Sequence, residues 1–86
     1  MMKEFAYIIT DPEGIHARPA GLLVKEANQF ASAITIKKND KEADAKRIFA
    51  VMGLAAKKDE TIQVSADGSD EANAIAALQD FCKNNL

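Results

Sequence analysis

Apolar side chains fall on every second residue in some stretches of this chain and on every third or fourth in others. The order in which the two periods alternate leaves few folds open. Phe5, Tyr7 and Ile9 alternate with Glu4, Ala6 and Ile8, the pattern of a strand over roughly residues 3–9 buried on at least one face. Ala20, Leu23, Val24, Ala27 and Phe30 then recur at i, i+3, i+4, i+7 and i+10, which predicts an amphipathic helix near 17–28. Ile34-Thr35-Ile36-Lys37 returns to alternation, Asn39-Asp40 supplies a turn, and Lys41 to Ala43 pairs back as a short third strand. Lys46 to Met52, followed by Gly53 as a stop, reads as a helix of about two turns. Thr61 to Ala66 forms the fourth strand, ended by Asp67-Gly68. Ser69 is placed to cap a last helix near 70–84, with Asp70 and Glu71 in its first turn and Lys83 in its last, both favourable to the helix dipole. Its apolar face is Ala74, Ile75, Leu78, Phe81 and Cys82.

The resulting order is βαββαβα. It predicts an α+β fold in which a four-stranded antiparallel sheet carries all three helices on one face. No linker, repeat or low-complexity tract interrupts it, so residues 1–86 are expected to form a single domain with its own core.

Charge and cysteine content remove several function classes. Eleven Lys and Arg stand against 13 Asp and Glu, and a net charge of -2 gives no global attraction to nucleic acid or to an anionic membrane. The lone Cys82 has no internal partner, which suits a reducing compartment. No apolar run approaches the ~18 residues of a membrane span, and Met-Met-Lys-Glu-Phe lacks the apolar core of a signal peptide. The expectation is a soluble, cytoplasmic protein. One histidine and one distant cysteine do not make a metal-ligand set, so neither a metal nor a cofactor is expected.

The chemistry-bearing segment is Gly14-Ile15-His16-Ala17-Arg18-Pro19-Ala20. Asp11-Pro12-Glu13-Gly14 turns the chain, and the only histidine follows at the threshold of the first helix. Pro19 marks the first helical turn, where a missing N–H breaks no ladder bond. Neutral imidazole is a good nucleophile, guanidinium is a permanent cation with a planar fork of donors, and a helix start receives anions. His16 is therefore expected to carry a phosphoryl group, with Arg18 and the amides of Ala17 and Arg18 steadying its oxygens. No triad is legible around it.

That segment, together with Lys46-Arg47-Ile48-Phe49-Ala50-Val51-Met52 and Val64-Ser65-Ala66-Asp67-Gly68-Ser69-Asp70-Glu71, resembles HPr, the histidine-containing phosphocarrier family of the bacterial phosphoenolpyruvate-dependent sugar phosphotransferase system. The resemblance covers essentially the whole chain. It implies an open-faced β-sandwich and a non-enzymatic carrier: His16 accepts phosphate at Nδ1 from enzyme I and passes it to enzyme IIA domains of sugar permeases. It also implies a docking surface of Ala20, Lys25, Ile48, Phe49 and Met52, with Val51 pointing inward and Arg18, Lys25, Lys46 and Arg47 ringing the patch to steer acidic partners. A monomer is the simpler expectation for such a carrier. A nitrogen-type relay, or partner binding without phosphotransfer, are the other readings.

Two departures from the family pattern stand out. Many members carry a regulatory serine where this chain has Arg47, which removes the phosphorylatable hydroxyl and adds a positive charge to the docking side. Ala55-Ala56-Lys57-Lys58-Asp59 replaces a glycine-bearing turn, for which a different local loop without effect on His16 is expected. The resemblance brings the region of Leu86 toward the active loop, whereas the default for a chain end is fraying into solvent.

Overall fold

Alternation in the sequence becomes four strands because each strand has one face against helices and one face in water. The structure, a computed structural model, describes residues 2–86. Its elements are β1 (Lys3–Ile8), α1 (Ala17–Ala27), β2 (Ala33–Lys38), β3 (Lys41–Asp44), α2 (Ile48–Gly53), β4 (Thr61–Asp67) and α3 (Glu71–Asn85). The strands form one sheet in the order β1-β4-β2-β3, and every neighbouring pair is antiparallel. The three helices, the open sheet face and the βαββαβα order are those expected from the periodicity.

The register explains which side chains are inside. Val64 lies opposite Phe5 on one side and Ile36 on the other, and Ile36 in turn faces Ala43, so these residues share a face. Ile34, Ile36, Ala43, Ile62, Val64 and Ala66 are all buried there. Their strand neighbours Lys37, Glu42, Thr61 and Gln63 are exposed on the other face. Helices α1 and α3 close the buried side with Leu23, Ala27, Leu78 and Cys82, and α3 lies over β1 and β4. Each fully buried leucine or isoleucine contributes about 1.5–3 kcal/mol relative to exposure.

Element ends shift where a polar group has a better partner than its own helix. The first strand ends at Ile8, although Ile9 remains fully buried and bonds through its amide to Glu60 O at 3.0 Å. Helix α2 begins at Ile48 rather than at Lys46, because Asp44 first makes a turn: its Oδ1 accepts the Lys46 amide at 2.9 Å and its carbonyl accepts that of Arg47 at 3.0 Å. Ser69 does not cap α3. Asp70 occupies the cap position, and its carboxylate reaches across the fold to the amides of Ala31 and Ser32, at 2.8 and 2.9 Å, and to the Ser32 hydroxyl. The Ser32 hydroxyl above all, then the Ala31 amide, holds the Asp70 carboxyl below its ordinary pKa.

The loop between α2 and β4 keeps a demanding backbone without glycine. Ala55 and Asp59 have φ of 51° and 72°. Lys38 pins this loop, donating from Nζ to Ala55 O at 3.2 Å and to Glu60 Oε1 at 3.3 Å, and the Lys57 amide donates to the same carboxylate oxygen at 2.7 Å. That amide is the main reason the Glu60 carboxyl lies below its ordinary pKa.

Asp visits the left-handed region several-fold more readily than most residues, but alanine has no such excuse and loses about 1–2 kcal/mol there. We predict that Ala55→Gly stabilises the fold by about 1 kcal/mol, after allowing for the extra freedom of glycine in the unfolded chain. In a domain of this size that raises the melting temperature by about 4–8 °C. A thermal melt showing no gain would mean that Ala55 carries no strain.

Candidate functional site

Between β1 and α1 the chain must reverse and deliver His16 to the helix start, and Asp11 to Ile15 show how. Asp11 Oδ1 accepts the Glu13 amide at 2.8 Å and Asp11 O accepts the Gly14 amide at 2.9 Å, closing a tight turn. Gly14 then takes φ of +67° while pressed against the α2–β4 loop. A Cβ built on Gly14 would lie 2.3 Å from Ala56 O and 2.8 Å from Lys57 Cα, so both conformation and space demand glycine. The next amide, of Ile15, donates to the same Ala56 O at 3.0 Å, and the Ile15 side chain is buried in the core. The loop after α2 is thus the wall on which the histidine turn rests, against the expectation that it has no bearing on His16.

His16 occupies the N-cap position of α1 with extended backbone, φ -99° and ψ -174°. Its carbonyl accepts the Ala20 amide at 3.0 Å, but its imidazole does not cap the helix. Among the described residues the amides of Ala17 and Arg18 have no acceptor, and Pro19 has no amide to satisfy. The helix start therefore offers two free donors and the positive end of its dipole beside a half-buried imidazole. His16, Arg18, Pro19 and Leu22 of the α1 side, with Asp11 and Asn85, line a small surface depression. The arrangement joins a nucleophilic ring to an anion-receptive pocket wall.

Two acidic groups also approach the ring. Glu13 Oε2 lies 3.9 Å from His16 Nε2, and one ligand atom from each of Asp11, Glu13 and His16 falls within 4.8 Å of the others. Counting only histidine and cysteine in the sequence misses this cluster, because the turn brings the carboxylates in.

Leu86 is not frayed. It is buried, and its backbone oxygen accepts the amides of Thr10 and Asp11, at 2.6 and 2.7 Å, and the Thr10 hydroxyl at 3.0 Å. Three donors on one oxygen tie the end of α3 to the entrance of the histidine turn.

The residues expected to meet partners separate into two groups. Phe49 is 85% exposed and Met52 37%, Ile48 is half-buried against Gly21, and Lys25 is exposed in the last turn of α1. Val51 is fully buried, the inward member of α2. Ala20 departs from expectation: with no exposed surface it supports α1 from beneath and has nothing to offer a partner. Leu22, 41% exposed and lining the depression beside His16, holds the surface position instead. Its sequence signal is the i, i+4 spacing from Arg18 on the face opposite the core stripe. Lys46 donates from its ammonium to Phe30 O at 2.8 Å, which fixes the position of that cation without neutralising it. Arg47 stays 79% exposed, its Nε 3.8 Å from Asp44 Oδ2, and as N-cap of α2 it makes no side-chain cap bond.

A family profile described as the PTS HPr component phosphorylation site matches residues 3–84. The phosphocarrier protein HPr of Mycoplasma capricolum is 47% identical over 78 residues, covering 91% of this chain and 88% of its own length. The solved histidine-containing phosphocarrier protein from Mycoplasma superposes with a TM-score of 0.93 at 44% identity, covering 95% of this chain and 93% of that one. An HPr dimer from Thermoanaerobacter tengcongensis gives 0.77 at 39% identity, covering 95% and 94%.

The Gly14 contact yields a direct test of what holds the histidine turn. Gly14→Ala combines a left-handed alanine with a clash against backbone and is expected to cost about 2–4 kcal/mol. Amide spectra of the folded fraction should show shifts at Ile15, His16 and Ala56 together. A variant of unchanged stability would refute the constraint.

Proposed function

The chain belongs to the PTS-HPr family, and from that premise we propose that His16 accepts a phosphoryl group from enzyme I and delivers it to enzyme IIA domains. The observation that carries this reading is the imidazole at the N-cap of α1 beside the unpartnered amides of Ala17 and Arg18. A lone pair of the neutral ring attacks phosphorus, the bond from phosphorus to the donor's histidine breaks, and a phosphorus–nitrogen bond to His16 forms. By family likeness the attacking atom is Nδ1. The second ring nitrogen keeps its proton, so the group moves with no water consumed.

Phosphoryl transfer asks the protein for position and charge rather than for covalent machinery. Arg18 and the two amides supply donors to the phosphoryl oxygens, and α1 adds its positive end. The chain is a substrate of its partners, not a catalyst that turns over alone. Leu22, Ile48, Phe49 and Met52 provide the apolar part of the partner surface, with Arg18, Lys25 and Arg47 as its cations. We place the relay in the cytoplasm as a monomer, where one exposed face serves donor and acceptor in turn. No helix among the described residues is long and apolar enough to cross a membrane.

Incubation with enzyme I and phosphoenolpyruvate should place an acid-labile, alkali-stable phosphate on the wild-type chain and none on His16→Ala. Loss of the Arg18 donors in Arg18→Ala removes about 1.5–3 kcal/mol of charge-assisted bonding, so uptake should slow by about 10–100-fold. Absence of uptake with several competent donors would leave a partner-binding module in place of the carrier. Arg47→Glu should weaken enzyme I binding and flatten its salt dependence, because one steering cation is lost. Unchanged affinity and salt slope would remove Arg47 from the docking surface.

A further inference from the structure

The carboxylates beside His16 have no place in the relay just described. A phosphoryl group brings negative charge to the ring, while Asp11 and Glu13 already hold negative charge within 4.8 Å of it. Neither carboxylate is consumed elsewhere. Asp11 uses Oδ1 for the Glu13 amide, and among the described residues Oδ2 has no hydrogen-bond partner. Glu13 is 77% exposed, and its Oε2 lies 3.9 Å from His16 Nε2. An imidazole nitrogen and two carboxylates from a six-residue segment make a mixed nitrogen and oxygen donor set.

We infer that Asp11, Glu13 and His16 form a binding site for a divalent transition-metal ion of the zinc class, held in the unphosphorylated chain. Imidazole with carboxylates suits zinc and its first-row neighbours, whereas magnesium and calcium favour all-oxygen shells. Bonds of about 2.0–2.2 Å place tetrahedral ligands about 3.4 Å apart. The His16 to Glu13 separation of 3.9 Å closes to that value by a small rotation of an exposed side chain. Asp11 is held by its turn through Oδ1, and its carboxylate offers one oxygen to the set. Asp11 and Arg18 both line the depression beside His16, while Glu13 stands on the exposed turn outside its lining. Water completes the shell.

A bound ion withdraws electron density from the ring and so weakens it as a nucleophile. Metal and phosphoryl group then oppose each other on one residue, a consequence that rests on the relay reading, while the site itself does not. The chain is well suited to the test, since it has a single histidine. Its only cysteine does not compete: Cys82 is buried, and burial pushes its thiol pKa up to about 12.

The test is zinc titration of the full chain by calorimetry, with the His16 ring resonances followed in parallel. One ion per chain should bind, the ring resonances should shift or broaden first, and His16→Ala should abolish the event. Glu13→Gln and Asp11→Asn should each weaken binding by about ten-fold or more. Glu13→Gln alters an exposed group, so an unchanged amide spectrum separates ligand loss from misfolding. Zinc binding that survives His16→Ala, or that ignores Glu13→Gln, would overturn the site. Phosphoryl uptake is measured first with metal removed: its failure would count against the relay alone, and failure of the zinc titration against the metal site alone.

Discussion

Gly14 against the carbonyl of Ala56 is the contact on which the placement of His16 depends. Two backbone segments meet there with no room for a side chain, and the Ile15 amide seals the junction through the same oxygen. One segment comes from β1 and leads into α1; the other comes from α2 and leads into β4. The junction therefore ties both ends of the helix layer to neighbouring strands of the sheet. Backbone against backbone is stiff, because neither partner can rotate a side chain out of the way. His16 stands two residues beyond this point, too close for the chain to lose its direction.

The opposite side of the turn is held by different means. Leu86 gives one oxygen to Thr10 and Asp11, so α3 fixes the entrance as the α2–β4 loop fixes the exit. The loop is itself secured by Lys38 and Glu60. Retaining a left-handed Ala55 there shows which requirement prevails: the loop must present Ala56 O to Gly14 and Ile15, and a local cost of about 1–2 kcal/mol is smaller than losing that junction.

Periodicity made the elements legible, because burial on one side leaves a repeat in the sequence. Ile34, Ile36, Val64 and Ala66 alternate with polar residues, and Leu23, Ala27, Ala74 and Leu78 keep helical spacing. That His16 stands at a helix start with Arg18 in the first turn was legible from residue type and position alone. What stayed hidden depends on contacts between distant segments. No local rule says that Asp70 bonds to Ser32 instead of capping α3, that Lys46 spends its ammonium on Phe30 O, or that Leu86 closes on Thr10. The burial of Ala20 stays hidden for a related reason. Small residues near a motif look available, but on a helix crossing above a sheet they are often where the backbone comes nearest to the core, and Ala20 is completely enclosed.

The charges around His16 pull in opposite directions on an anion placed there. In water two unit charges at 4 Å interact by about 1 kcal/mol, so exposed Glu13, whose Oε2 lies 3.9 Å from His16 Nε2, acts only modestly on a charge at the ring. The dipole of α1 and its free amides contribute an attraction of comparable size, about 0.3–1 kcal/mol at an exposed end, and the Arg18 guanidinium adds more when it makes a hydrogen bond. These effects oppose one another within a few kcal/mol. A turn that places two carboxylates and a helix start around one imidazole leaves opposing charges within reach of any anion at the ring, and neither set dominates.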